Sequence, residues 1–203
     1  MTQFFASFFT AAIAAIFIEN TIFTRALGTS RMLSVIGKPK TMMKFGILLT
    51  AVTTISGVFS WLVNLLMAKV SFKYYIEPLV YVIVLLIVFV LFSVALYYLK
   101  PKKYREYSEI LLMAVFNCAS LGAILLPAHN SLLTAEASFP TWVGFSFGTG
   151  IAFFMASILV FEGTRKLKGT HIPKPFRGFP ATLIYIGILS LAFYGLIGHK
   201  LPF

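Results

Sequence analysis

Cys118 is the only cysteine in the 203 residues, and it lies in the apolar stretch FNCASLG, residues 116–122. One thiol cannot form an internal disulfide, but its thiolate can bind a metal. Two interpretations follow from the residues alone. Cys118 is either a small, inert, buried side chain or one ligand of a metal site. Iron–sulfur clusters are held mainly by four thiolates, so the second interpretation requires other ligands, largely from a partner chain.

Glu19 is the second candidate functional residue, because its side chain is ionisable and it lies near the end of the first apolar run. An ionisable group inside a bilayer is costly, and by default it is a functional candidate. Glu19 could bind a translocated cation, relay a proton, or form a local pair with Arg25 at the membrane interface. The sequence leaves these three roles open, and Glu19 is our candidate for the ion pathway.

The composition indicates which class of protein must position these residues. Hydrophobic residues make up 59% of the chain and charged residues 11%, whereas a soluble domain carries about a quarter charged residues. The formal net charge is +11, but the basic residues form short clusters between apolar runs, as in the cytoplasmic loops of membrane proteins. We therefore expect a protein of the cell (plasma or inner) membrane whose surroundings are the lipid bilayer, and we expect no nucleic-acid partner.

Membrane-spanning helices are predicted from segment length. A bilayer core of about 30 Å requires about 20 helical residues. Six segments meet this requirement, and they cover residues 4–24, 42–68, 76–99, 109–127, 141–162 and 179–197. The sequence thus predicts an all-α polytopic membrane protein with six transmembrane helices in one membrane domain, residues 1–203.

The loops between these segments predict the orientation of the chain. Lys and Arg are concentrated after the first, third and fifth segments, whereas the second loop holds two lysines and the fourth holds none. The positive-inside rule places the three basic loops in the cytoplasm. Both termini are then predicted to lie outside.

Two sets of three helices are compatible with an inverted repeat whose halves are residues 1–102 and 103–203. Asn20 and Leu27-Gly28 loosely mirror Asn117 and Leu121-Gly122. Both stretches contain helix-weakening residues, and breaks at membrane depth are tolerated only where they are buried in protein or line a cavity. We therefore expect two broken helices that face one another near the membrane midplane.

Four strings, IENTIFTRALG, FNCASLG, PKPFRG and LSLAF, follow one another along nearly the whole chain. Together they resemble the A-type membrane component of the Rnf electron-transport complex, in the family that includes the E-type component of the sodium-translocating NADH:quinone reductase. The resemblance implies six helices in an inverted 3+3 repeat and a homologous six-helix partner of opposite orientation. It also implies an intramembrane iron–sulfur centre, 2Fe–2S or another iron centre, held by two cysteines from each chain. Electron transfer through that centre is coupled to Na⁺ or H⁺ movement in such complexes.

The resemblance assigns roles to two residues. Cys118 stands where the family has its second-half ligand, and Ser30 stands where the family has the first-half cysteine. A serine oxygen can ligate iron, but it is a harder and poorer donor than a thiolate. Three outcomes follow: the centre is retained with Ser30 or another group as its fourth ligand, it is completed by compensating ligands from the partner, or it is lost.

Other functions remain open at this stage. Broken helices around a midplane site would also suit a small secondary transporter that uses Glu19 as its coupling residue. A scaffold that assembles redox subunits without chemistry of its own is the third possibility.

Gly144, Gly148 and Gly150 lie within the fifth predicted helix, where small residues favour close helix packing.

Overall fold

The chain is helical, without a strand, in the residues that the computed structural model describes, which are 2–69, 72–129, 138–167 and 172–197. The α-helices are α1 (Thr2–Ile13), α2 (Thr29–Val35), α3 (Pro39–Met67), α4 (Lys73–Leu99), α5 (Tyr104–Val115), α6 (Cys118–His129), α7 (Phe139–Leu167) and α8 (Phe179–Ile197). Each of the six predicted apolar segments is helical over most of its length. The predicted all-α class is confirmed.

Several helices are long and apolar enough to cross a membrane. In the described residues, α3, α4 and α7 each pass this test, and α5 with α6 passes it as a pair bent by 41°. The helices Thr2–Ile18 and Phe179–Gly195 are apolar but shorter. This arrangement confirms a polytopic membrane protein, while the orientation of the termini and the two half-repeats remain predictions.

The first helix is interrupted inside the predicted segment 4–24. Asn20 donates a hydrogen bond from Nδ2 to the carbonyl of Ile16 at 2.9 Å, and its Oδ1 accepts the backbone N–H groups of Ile22 and Phe23 at 3.1 Å each. An Asn side chain that binds nearby backbone groups competes with the helical pattern. The regular helix therefore ends before Asn20, after a π-helical turn.

A second interruption divides the predicted segment 109–127. Asn117 lies between α5 and α6, and its Oδ1 accepts the backbone N–H of Ala119 at 3.3 Å. The Ser120 hydroxyl donates to the Ala114 carbonyl across the break at 2.6 Å. These bonds hold the two helices together across the break, and both predicted helix breaks are confirmed.

Helix α7 is the most buried of the three long helices, and it packs against α1 and α3. A Cβ atom placed on Gly148 would lie 2.8 Å from Cα of Ala12 in α1. A Cβ atom on Gly150 would lie 2.8 Å from Oγ1 of Thr50 in α3. These distances leave no room for a side chain, so the predicted close packing at these glycines is confirmed.

Candidate functional site

The two interrupted segments lie against each other. A Cβ atom on Gly28 would be 3.0 Å from the Oδ1 atom of Asn117 and 3.0 Å from Cβ of Ala119. A Cβ atom on Gly122 would lie 2.7 Å from Cδ1 of Leu27. The expectation that the two breaks face one another is confirmed, and their depth at the membrane midplane remains a prediction.

The backbone of the first break is held in an unusual conformation. Ala26 has φ +56° and Gly28 has φ +84°, and a non-glycine residue with positive φ is uncommon. The Leu27 N–H donates to the carbonyl of Thr21 at 2.7 Å. This folded turn ends the first helical segment and directs the chain into α2, which begins at Thr29.

Cys118 is the first residue of α6, and its side chain is exposed. The residues on either side of it, Asn117 and Ala119, are buried. The thiol therefore faces outward while its neighbours face the chain's interior. The interpretation of Cys118 as a side chain buried within this chain is therefore wrong, while its role as a metal ligand stays a prediction.

Ser30 is also exposed, on the outer face of α2. The inner face of α2 is fixed by Met32 and Val35, which are buried in the same hydrophobic cluster as Phe153. Gly28 lies two residues before Ser30 and touches the residues that flank Cys118. The fold thus brings the two segments that carry Ser30 and Cys118 together and leaves both side chains exposed.

The side chains of this chain that could ligate a metal at the two breaks are Cys118 and Ser30. Among the described residues, no group of three or more His, Cys, Asp or Glu side chains could hold a metal ion. Cys118 offers a soft thiolate that suits iron–sulfur chemistry, and Ser30 offers a harder oxygen. Two exposed donors would suit an iron centre only if a second chain supplied the remaining ligands, and that centre stays a prediction.

Glu19 lies beside the first break in a local ion pair. Its Oε2 atom accepts from Nη2 of Arg25 at 2.8 Å and from Nε at 2.9 Å. The Glu19 side chain is 16% exposed. This geometry matches the local-pair interpretation, and a role of Glu19 in ion movement stays a prediction.

Glu77 is a buried carboxylate that the sequence interpretation missed. It is 1% exposed, and its Oε1 atom accepts the Tyr81 hydroxyl at 2.9 Å. Tyr81 packs in a hydrophobic cluster with Val52 of α3 and Ile124 of α6. The signal was in the sequence, because Glu77 is a carboxylate within the predicted span 76–99.

Comparison with known proteins adds evidence that is independent of this geometry. Residues 8–199 match a family described as "Rnf-Nqr subunit, membrane protein". The chain is 30% identical over 189 residues to the A-type subunit of the "Ion-translocating oxidoreductase complex" of Edwardsiella ictaluri, covering 92% of this chain and 94% of that protein. It is 27% identical over 190 residues to the A-type subunit of the "Na(+)-translocating ferredoxin:NAD(+) oxidoreductase complex" of Acetobacterium woodii, covering 93% of this chain and 96% of that protein.

Proposed function

Because the chain belongs to the Rnf-Nqr family of membrane subunits, we propose that it is the A-type subunit of a redox-driven, ion-translocating oxidoreductase complex. The family match covers both helix breaks, and the relatives are named as A-type subunits of such complexes. The other redox subunits of a complex of this type are its partners. The coupling ion is Na⁺ or H⁺.

This chain supplies part of an iron–sulfur centre, 2Fe–2S or another iron centre, that it shares with a homologous six-helix subunit of opposite orientation. Cys118 provides a thiolate and Ser30 an oxygen. The observation that carries this assignment is that both side chains are exposed beside the contact between the two helix breaks. Donors that served a site inside one chain would converge within it, whereas exposed donors remain available to a second chain.

Several residues of this chain hold the proposed ligands in place. Asn117 caps the start of α6 through its bond to the Ala119 N–H, so Cys118 lies at the helix N-terminus, where the helix dipole favours negative charge. Gly28 allows the two backbone segments to approach. When bound, the centre supplies one-electron chemistry at a potential tuned by its surroundings.

An intramembrane centre would serve electron transfer because of distance. Carriers on the two faces of the membrane are separated by about 30 Å of hydrocarbon. A relay inside the bilayer divides this separation into shorter steps. The proposed orientation, with both termini outside and the loop after the first helix in the cytoplasm, follows from the positive-inside rule.

The secondary-transporter alternative receives less support. It requires Glu19 to act as the coupling carboxylate of a transporter, whereas the relatives are named as subunits of oxidoreductase complexes. We retain Glu19 as a candidate for the ion pathway of the complex.

The proposed function is tested on the chain co-purified with the homologous six-helix subunit alone, so that the other redox subunits contribute no iron or visible absorption. We expect iron and visible absorption in the complex, and the loss of both in Cys118→Ala. Ser30→Ala should weaken iron retention, whereas the matched control Ser34→Ala, an exposed serine one turn along α2, should not. An intact wild-type complex without iron would contradict the proposal. Full iron and activity in Cys118→Ala, with disassembly when the chain is deleted, would indicate a scaffold.

A further inference from the structure

A cavity of about 500 Å³ lies where α2, α7 and α8 meet. This volume is typical of sites that bind small molecules. The cavity also includes part of the PKPFRG loop, residues 173–178, which has no role in the proposed iron centre. Most of the wall is apolar, and it includes Leu33, Ile36, Phe161, Ile172 and Phe179.

Two arginines line the same cavity, Arg165 near the end of α7 and Arg177 just before α8. Nη1 of Arg165 lies 3.7 Å from Oε1 of Glu162, and both of these side chains are largely exposed. Nη2 of Arg177 donates to the carbonyl of Ile172 at 3.4 Å. A guanidinium carries five N–H donors, so these long contacts leave most of the donors available to a ligand.

The charge around the cavity complements an anion. Among the described residues that line it, none is a carboxylate. Lys174 in the adjoining loop adds a further positive charge. Helix α8 begins at Phe179 in the cavity wall, and a helix N-terminus favours negative charge. Arginine can hold a phosphate group through two parallel N–H donors.

The apolar wall indicates an amphiphile with an anionic head. The cavity lies where α7, a helix long and apolar enough to cross a membrane, ends and the apolar helix α8 begins. Phe176 and Phe179, on either side of Arg177, are exposed, as expected of side chains that meet lipid. The positive-inside rule predicts that this loop lies in the cytoplasm, and anionic lipids give the cytoplasmic leaflet its negative surface potential.

We propose that this cavity binds an anionic phospholipid of the cytoplasmic leaflet. Arg165 and Arg177 hold its phosphate, and the upper part of an acyl chain lies against the apolar wall between α2 and α8. The lipid therefore connects α2, the helix that carries Ser30, to the last helix of the chain. This site goes beyond the proposed function and does not depend on the iron centre.

The first test uses the wild-type full-length chain, freed of native lipid in detergent and followed by thermal unfolding. A ligand that binds only the folded state raises the unfolding midpoint. Phosphatidylglycerol, which is anionic, should raise the midpoint by several degrees. Phosphatidylethanolamine with the same acyl chains has no net charge and should give a much smaller rise. Inorganic phosphate supplies the anion without an acyl chain and should give none.

A charge variant tests the two arginines. Arg165→Gln combined with Arg177→Gln changes two exposed side chains, so the midpoint without lipid should stay the same while most of the response to phosphatidylglycerol is lost. The matched control combines Lys102→Gln with Arg105→Gln. It removes two charges from another basic loop whose residues do not line this cavity, and it should respond like the wild type.

A second variant keeps both arginines and tests the apolar wall. Gly37 lines the cavity, and a Cβ atom placed there would have no neighbour within 4 Å. Gly37→Leu therefore adds bulk at the wall without a clash inside the chain, and it should weaken the response to phosphatidylglycerol.

The outcomes decide between a lipid and other ligands. An equal response to the two phospholipids, or a full response in the double arginine variant, would overturn the proposal. Inorganic phosphate that stabilises as well as the lipid would make the cavity a site for free phosphate. A full response in Gly37→Leu would overturn the placement of the acyl chain against this wall. The comparison of ligands on the wild type holds even where a variant fails to fold.

Discussion

Gly28 lies so close to Asn117 that a Cβ atom on Gly28 would come within 3.0 Å of the Asn117 Oδ1 atom. This contact joins a break near the start of the chain to a break in its second half. Gly28 also has φ +84°, so both its backbone conformation and its surroundings require glycine. The contact links the segment that carries Ser30 to the one that carries Cys118.

Gly28→Ala should destabilise the protein through two effects. The left-handed conformation costs about 1–2 kcal/mol for a residue with a Cβ atom, and crowding against Asn117 adds about 1–3 kcal/mol. Gly178→Ala is the control, because Gly178 has φ +88° and a Cβ atom there would have no neighbour within 4 Å. Thermal unfolding in detergent should show the larger loss for Gly28→Ala. Equal losses would mean that a Cβ atom at Gly28 is accommodated without crowding against Asn117.

Ser30→Cys should strengthen the proposed centre. A thiolate is a softer ligand for iron than a serine oxygen, so the variant is expected to retain more iron through purification and to shift the visible spectrum. Ser34→Cys adds a thiol to another exposed position of α2 and should change neither property. Iron content and spectrum unaltered by Ser30→Cys would remove Ser30 from the ligand set.

Tyr81→Phe should lower stability, because it removes the hydroxyl that donates to buried Glu77 at 2.9 Å. Leaving a buried carboxylate short of a donor costs about 1–3 kcal/mol. The change is measured by unfolding in detergent against Tyr97→Phe, whose ring is exposed. Matching stability in the two variants would show that the Tyr81 hydroxyl does not support Glu77.

Glu19→Gln tests the ion-pathway candidate. In proteoliposomes that contain the whole complex, we expect slower coupled ion uptake while electron transfer continues. Glu162→Gln serves as the control, because Glu162 also pairs with an arginine, Arg165 at 3.7 Å, but both side chains are largely exposed. Ion uptake that is unchanged in Glu19→Gln would leave the residue with only its pairing to Arg25.

The sequence predicted the helical segments well because apolar length is a strong signal for a membrane helix. Hydropathy alone does not predict that the regular helices end at the two breaks. The segment 4–24 is apolar beyond Asn20, yet the Asn20 side chain binds the backbone and ends the helix. The same competition at Asn117 divides 109–127.

The exposure of Cys118 could not be predicted from its neighbours. In a membrane protein, apolar residues face lipid as well as the protein interior. The residue types around Cys118 therefore do not distinguish a buried thiol from an exposed one. Exposure depends on how α6 turns after the break, with Asn117 and Ala119 facing inward. Glu77 can be singled out from the sequence as an ionisable residue within the predicted span 76–99, whereas its burial depends on how α4 packs against the other helices.

The most direct measurement is the electron paramagnetic resonance spectrum and iron content of the reduced complex of this chain with the homologous six-helix subunit alone, in wild type and in Cys118→Ala. Iron in the wild type, with a paramagnetic signal that Cys118→Ala abolishes while the complex stays assembled, is the predicted result. An assembled wild-type complex without iron, or an identical signal in Cys118→Ala, would contradict the shared iron–sulfur centre.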